Sequence, residues 1–358
     1  KLGLDTLPGW DERSVDGMIA LGTDRVMISS ASRNELQELI RENGEWKYGE
    51  TIASEKDADG LETLVSPRAM ALLDEGRMLV VNRGHLREFV REDGRWRAGR
   101  AFRNAPESDT TERIERAGAI VPAGDGRFFI TVFGGNTDES FLREYRLGKD
   151  GLKAGSVIKG EYDPERRTQT LLDPVNAVLL EPDRILAVNF SGTLREFSFQ
   201  DGDWQAGRMI SCMRNGERLL TPHGIIRLDG NRFLIAFTST SAILEYYFED
   251  DEWKTGVFLS GRGKDPEGFE EINFLIEHMA RIDDRTIIVL DSGGENLIEF
   301  EIEGEEDNSR RIHPTDAGQD ISAAGGDETS LPQLNSQRLV KPFDPARHAG
   351  GSEVKGIS

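Results

Sequence analysis

Hydrophobic positions along the chain fall in short runs of four to seven residues, set off by turns rich in Gly, Asp, Asn and Pro. None of the runs holds a 3.6-residue period over a helical length, so the pattern predicts strands. The order of runs repeats. A first apolar run ("GMIALG", "AMALLD", "GAIVPAG", "AVLLEP", "GIIRLD", "MARID") meets a tight turn. An Arg follows (Arg25, Arg77, Arg127, Arg184, Arg232, Arg285), then a second and more apolar run such as "RMLVV" or "RFLIAF". A third run carries Leu-x-Glu-aromatic, as in "LREF" at Leu194–Phe197, and a polar turn leads to a "W-x-x-G" run at Trp46, Trp96, Trp204 and Trp253. The unit recurs roughly every 50 residues, six times, which is the signature of a radial repeat.

Four antiparallel strands per unit and six units predict an all-β fold, a six-bladed β-propeller. Second strands packed on both faces should read as nearly continuous apolar runs, and they do. The sixth unit lacks a clear fourth strand, since "EGEEDNSRRIHPT" departs from "W-x-x-G". The N-terminal segment near Leu2–Trp10 is expected to add a strand there and close the ring. The propeller is expected over 1–313, and a polar tail over 314–358, where Gly, Ser, Asp and Pro are frequent.

Residues that recur in every blade cannot mark one asymmetric site. The repeated Glu residues (Glu38, Glu88, Glu144, Glu196, Glu245, Glu299) and the repeated Arg residues therefore read as structural ion pairs, and the Trp residues as packing. Site candidates are positions that break the repeat where first strands open onto the channel. Aligned by eye, these are Asp16, Arg68, Ala117, Asn176, His223 and His278, with Glu277 beside the last. Polar groups from separate blades converge on the axis there. Asn82, Asn189, Asp291 and Ser30, which end second strands, are expected near the same region.

Charge and cysteine content narrow the partners. Lys and Arg number 44 against 65 Asp and Glu, a net charge of −21, which argues against nucleic acid or anionic lipid. No apolar run is long enough to span a membrane. One cysteine, Cys212, allows no internal disulfide and reads as a small core residue. The sequence starts at Lys1 without a Met, as either a mature chain after signal-peptide removal or a trimmed piece of a longer chain would.

Three stretches resemble the six-bladed, calcium-dependent propellers of the arylesterase (paraoxonase), gluconolactonase and strictosidine synthase-like superfamily. "SVDGMIALGTDRVMISS" at Ser14–Ser30 resembles their first blade, and "DPVNAVLLEPDRILAVNF" at Asp173–Phe190 their Asn-bearing blade. "TPHGI" at Thr221–Ile225 is similar to a Pro-His-Gly-Ile run that sits in another blade of that family. The resemblance implies an axial calcium that polarises an ester or lactone carbonyl, held here by Asp16 and Asn176. It also implies a secreted or periplasmic setting. Where the family has an Asn on blade five and an Asp-Asn pair on blade six, this chain has His223 and Glu277–His278. Imidazoles suit a transition metal better than calcium. The metal candidates are therefore Asp16, Asn176, His223, His278 and Glu277, and a divalent metal is the expected cofactor. Without a metal, His223 or His278 would act as general base, and Arg68 would hold a substrate carboxylate.

Three functions stay open. The first is a lactone or ester hydrolase acting on a small molecule in the channel mouth. The second is a non-catalytic propeller that binds a protein or glycan through its loops. The third is a redox or lyase enzyme with a His-bound metal.

Overall fold

The computed structural model describes residues 2–3, 15–103, 117–133, 140–160, 162–163, 168–169, 171–214, 216–260, 276–291, 296–302 and 312–314. The tail expected over 314–358 lies outside the described residues, apart from Pro314. Six antiparallel sheets follow one another along the chain, each a meander whose sequence order is its spatial order. Blade one consists of Val15–Gly22, Arg25–Ser30, Glu35–Glu42 and Glu45–Ala53. Blades two to five repeat it, and blade six contains Ile276–Arg281, Thr286–Asp291 and Asn296–Ile302. First strands neighbour those of the blades on either side, and blade six's touches blade one's, so the ring closes. The protein is an all-β, six-bladed β-propeller with four antiparallel strands per blade.

Blade six builds its outer edge from two chain segments. Leu2–Gly3 pairs with Asn296–Leu297, and Ile312–Pro314 pairs with Phe300–Ile302, so both segments border the same third strand. The stretch that departs from "W-x-x-G" thus supplies half of that edge.

The geometry explains the repeat. In blades one to five, the third and fourth strands pair with a register shift that brackets the Leu-x-Glu-aromatic Glu, as at Gln37/Leu39 and Leu244/Tyr246. At this bulge the Glu side chain lies across the Gly of "W-x-x-G". A Cβ at Gly256 would sit 2.2 Å from Glu245 Oε2, and one at Gly155 would sit 3.1 Å from Glu144 Cγ. The carboxylate then reaches the Arg that opens the second strand: Arg25 to Glu38 at 3.0 Å, Arg127 to Glu144 at 2.6 Å, and Arg232 to Glu245. The recurring Glu, Arg and Gly are one structural device.

The cores lie between blades, where second strands are almost wholly buried: Met78, Leu79, Val80 and Val81 in blade two, and Phe233 to Phe237 in blade five. Cys212 belongs to the core between blades four and five. Burial pushes its thiol up to about 12, so it stays protonated and unreactive.

Candidate functional site at the channel mouth

The inner strands do not run straight to the mouth. In five blades the register slips where the first strand opens, between Val15/Gly17, Ala117/Ala119, Pro174/Asn176, Pro222/Ile225 and Ile276/His278. A bulge sets two successive residues against one partner and re-aims their side chains. The alignment by eye therefore needs correction by one residue in three blades. Asp16, Arg68 and His223 share a position with Gly118, Val175 and Glu277, and Asn176 and His278 lie one step further in, level with Gly17. Gly118 rather than Ala117 faces the axis in blade three.

Both registers meet in one cavity of about 320 Å³ on the axis. Asp16, Arg68, Asn176 and His278 form its polar end. Ile19, Met70, Val121, Leu179 and Ile225 line it further in. The structure thus brings four of the candidates to one cavity wall, and His223 stands just behind it, with its carbonyl accepting from Asn176 Nδ2 at 3.2 Å. Glu277 lies on blade six's first strand, but its side chain is outside the described residues.

Small residues hold the ring this tight. Gly17 and Ser29 of blade one embrace the Arg68 backbone of blade two. Ser29 Oγ donates to the Arg68 carbonyl at 3.0 Å, and a Cβ on Gly17 would fall 2.0 Å from that oxygen. Gly118 approaches the Val175 carbonyl in the same way. Arg68 is therefore fixed at its backbone while its side chain is exposed.

Electrostatics set the protonation states. Burial raises the Asp16 carboxyl above its ordinary pKa, although the Ala31 N–H (2.8 Å to Oδ2) and the Arg68 charge hold it back. Burial lowers His223. Burial, with His223 close by, pushes His278 down to about 3. Both imidazoles are neutral at pH 7. The His223 ring meets the Phe190 ring edge-on at 6.2 Å, and Phe190 is 37% exposed at the rim.

The residues ending second strands serve elsewhere. Asn82 and Asn189 are buried. Asn82 Oδ1 accepts from Val65 N–H and its Nδ2 donates to the Thr63 carbonyl; Asn189 Oδ1 accepts from Leu172 N–H. They pin the connections between blades. Ser30 accepts from Arg33 N–H, and the Asp291 side chain is outside the described residues. Sequence reasoning missed Phe190 and the bulges, because neither recurs as a motif.

No family model matches the chain, and no curated protein matches it in sequence. Solved structures do match. A Lactobacillus plantarum protein superposes with a TM-score of 0.56 at 11% identity, covering 84% of each chain. A putative 6-phosphogluconolactonase from Bacteroides uniformis gives 0.53 at 15% identity, over 84% of this chain and 83% of that one. The periplasmic gluconolactonase of Pseudomonas aeruginosa gives 0.52 at 11%, over 84% and 86%. The chain shares the β-propeller fold of these proteins. At such identities the likeness is one of fold, and the chemistry of the propeller has to come from its own residues.

Those residues do not fit calcium. The ion takes six to eight oxygens. The described mouth offers one carboxylate, Asp16, and one amide oxygen, Asn176 Oδ1, which already accepts from Ala177 N–H at 2.9 Å. The other donors are imidazoles. Among the described residues no group of three or more His, Cys, Asp or Glu side chains is arranged to hold a metal. His223 and His278 are two imidazole donors, and an open transition-metal site uses three protein ligands.

Proposed function

We propose that the channel mouth hydrolyses lactones or esters of small organic acids. One observation carries this reading: a carboxyl with a raised pKa, a guanidinium and a depressed-pKa imidazole line one cavity of small-molecule size, with a second depressed-pKa imidazole directly behind. Opposite shifts on neighbouring groups are how acid and base roles are separated at neutral pH. His223 is assigned as general base, because His278 at about 3 is too weak a base to compete. The neutral imidazole takes a proton from water as its oxygen adds to the carbonyl. As the carbonyl re-forms, the C–O bond to the ring or alcohol oxygen breaks, and that oxygen takes the proton from the imidazolium. The products are a hydroxy acid, or an acid and an alcohol. The fold shared with gluconolactonases supports the substrate class.

The test is hydrolysis of a panel of neutral γ- and δ-lactones and aryl esters by the full chain. Turnover should fall roughly 100-fold or more in His223→Ala. Full activity in a His223→Ala/His278→Ala double variant would sink the assignment.

A second reading, ligand binding without chemistry, is favoured by exposed Phe190 at the rim, an aromatic face of the kind that sugars stack on. Saturable glycan binding without turnover of any lactone would select it. No helix of the described residues is long and apolar enough to cross a membrane. A secreted or periplasmic location is proposed with the hydrolytic reading, and the periplasmic Pseudomonas neighbour supports it.

A further inference from the structure

The mouth is not evenly charged around its rim. The edge of the blade-two sheet that faces the mouth carries three arginines. Arg68 opens the first strand, with its N–H on the Val81 carbonyl at 3.0 Å. Arg83 follows the second strand in the turn after Asn82, with its N–H on the Val65 carbonyl at 2.7 Å. Arg103 follows the fourth strand, Arg95–Phe102, one register beyond the Leu86–Phe102 pair and beside His85. All three side chains are exposed. No ion pair with a carboxylate is formed by any of them among the described residues; Arg25, Arg33, Arg41, Arg77, Arg87 and Arg100 of the same two blades are paired, and the other arginines of blade two without such a pair, Arg91, Arg95 and Arg97, lie at the end of the sheet away from the mouth. In a chain with a net charge of −21, unpaired cations gathered on one edge are a local reversal of sign.

The field is felt inside the sheet. His85 is buried, with its Nε2 against Asn82 Nδ2 at 3.1 Å. Its pKa is pushed down to about 4 by burial first, then by the Arg87 and Arg103 charges. Across a ring of six, blade two faces blade five, so this edge lies opposite His223. A molecule whose carbonyl sits near His223 would extend its far end toward the arginines.

We propose that the blade-two edge, Arg68 with Arg83 and Arg103, binds an anionic substituent of the substrate, a carboxylate or a phosphate. Guanidinium groups match both anions with paired N–H donors. This rests on the hydrolytic reading of the same mouth and narrows its substrates to acidic lactones.

The experiment is calorimetric titration of the full chain with D-glucarate and with inorganic phosphate, at low and at physiological salt. Binding to the wild type is expected, weaker at higher salt. Arg68→Gln and the double variant Arg83→Gln/Arg103→Gln should each weaken it about tenfold, the usual size for one charge-assisted hydrogen bond. All three residues are exposed, and unchanged melting temperatures would confirm that the variants fold. Tighter binding of one anion identifies which substituent the edge takes. No binding to the wild type, or equal affinity in wild type and both variants, overturns the proposal. Lactone turnover with unaltered anion affinity in the variants removes this inference and leaves the hydrolytic reading. Anion binding lost in the variants, without turnover of any lactone, does the reverse.

Discussion

Trp46 of blade one donates its Nε1–H to Glu299 of blade six at 3.3 Å, and Arg41 binds the same carboxylate at 2.8 Å. The contact crosses the seam where the first blade meets the last. It repeats between blades four and five, where Trp253 Nε1 donates to Glu196 at 2.5 Å. At these two junctions a Trp on the outer strand of one blade grips the repeated Glu of the blade before it, whereas the Nε1 groups of Trp96 and Trp204 are buried without such an acceptor. There the "LREF" Glu and the "W-x-x-G" Trp are two halves of an inter-blade clamp.

Glu299→Ala should therefore cost more than a surface substitution. Its carboxylate is largely buried, and its loss leaves Arg41 and the Trp46 N–H without their acceptor. The expected loss is about 1–3 kcal/mol, read as a fall of roughly 2–5 °C in melting temperature for a domain of this size. Glu42→Ala, which breaks only the exposed pair with Lys47, should change stability by less than about 1 kcal/mol. Equal effects from the two would show that the seam adds nothing.

The bulge under each Glu makes a second prediction. Gly256→Ala would put a methyl group 2.2 Å from Glu245 Oε2, a carboxylate held by Arg232. Relief requires breaking that pair, at about 1–3 kcal/mol. In blade two the nearest atom to a Cβ on Gly99 is the Glu88 carbonyl oxygen at 3.3 Å, so Gly99→Ala should be milder. Urea denaturation of both variants orders them.

The repeat was legible because it is local and periodic. Strand count, blade count and the scaffold role of the Glu–Arg pairs all follow from spacing. The site was legible only to within one residue. Asn176 and His278 break the repeat and line the cavity, yet they sit one register deeper than Asp16 and Arg68. A bulge adds a residue without altering composition, so counting along aligned strands slips there. Asn82 and Asn189 misled for another reason. An Asn at the end of a second strand is expected near the mouth, but these two saturate backbone groups of the connections, a long-range need that no local pattern carries.

Stability should fall as the solution is acidified from pH 6.5. His85 at about 4 and His278 at about 3 titrate below the unfolded value of 6.5. Below 6.5 the unfolded chain takes up protons that the folded chain refuses, so stability rises with pH in this window and is flat for these groups above it. Each histidine contributes a slope of at most about 1.4 kcal/mol per pH unit. The raised Asp16 works in the opposite sense, at its own more acidic range. Denaturation curves from pH 7.5 to 4.5 measure the slope, and His85→Gln should flatten it. An unchanged slope would mean that His85 is protonated in the folded state.

Calcium should have little effect on the folded protein. With one described carboxylate at the mouth and Asn176 Oδ1 already engaged, millimolar calcium is expected to leave the melting temperature within about 1 °C. A rise of several degrees, lost in Asp16→Asn, would show that the Glu277 side chain completes an oxygen site. Elemental analysis of the native protein, repeated with His223 and His278 both changed to Ala, measures any transition metal that the imidazole pair retains.

The acid limb of activity gives the sharpest test of His223. A free imidazole base loses activity below its ordinary pKa of about 6.5. Burial lowers His223, so the neutral base persists into more acidic solution. The profile of kcat/KM against pH should therefore rise with a midpoint below 6.5. The nearby imidazole couples the two groups, because His278 is held down partly by His223. His278→Gln keeps a hydrogen-bonding side chain but removes the second titrating ring, and should leave a single ionisation in the limb. A midpoint that stays fixed in His223→Gln, with activity retained, would transfer the base role away from this residue.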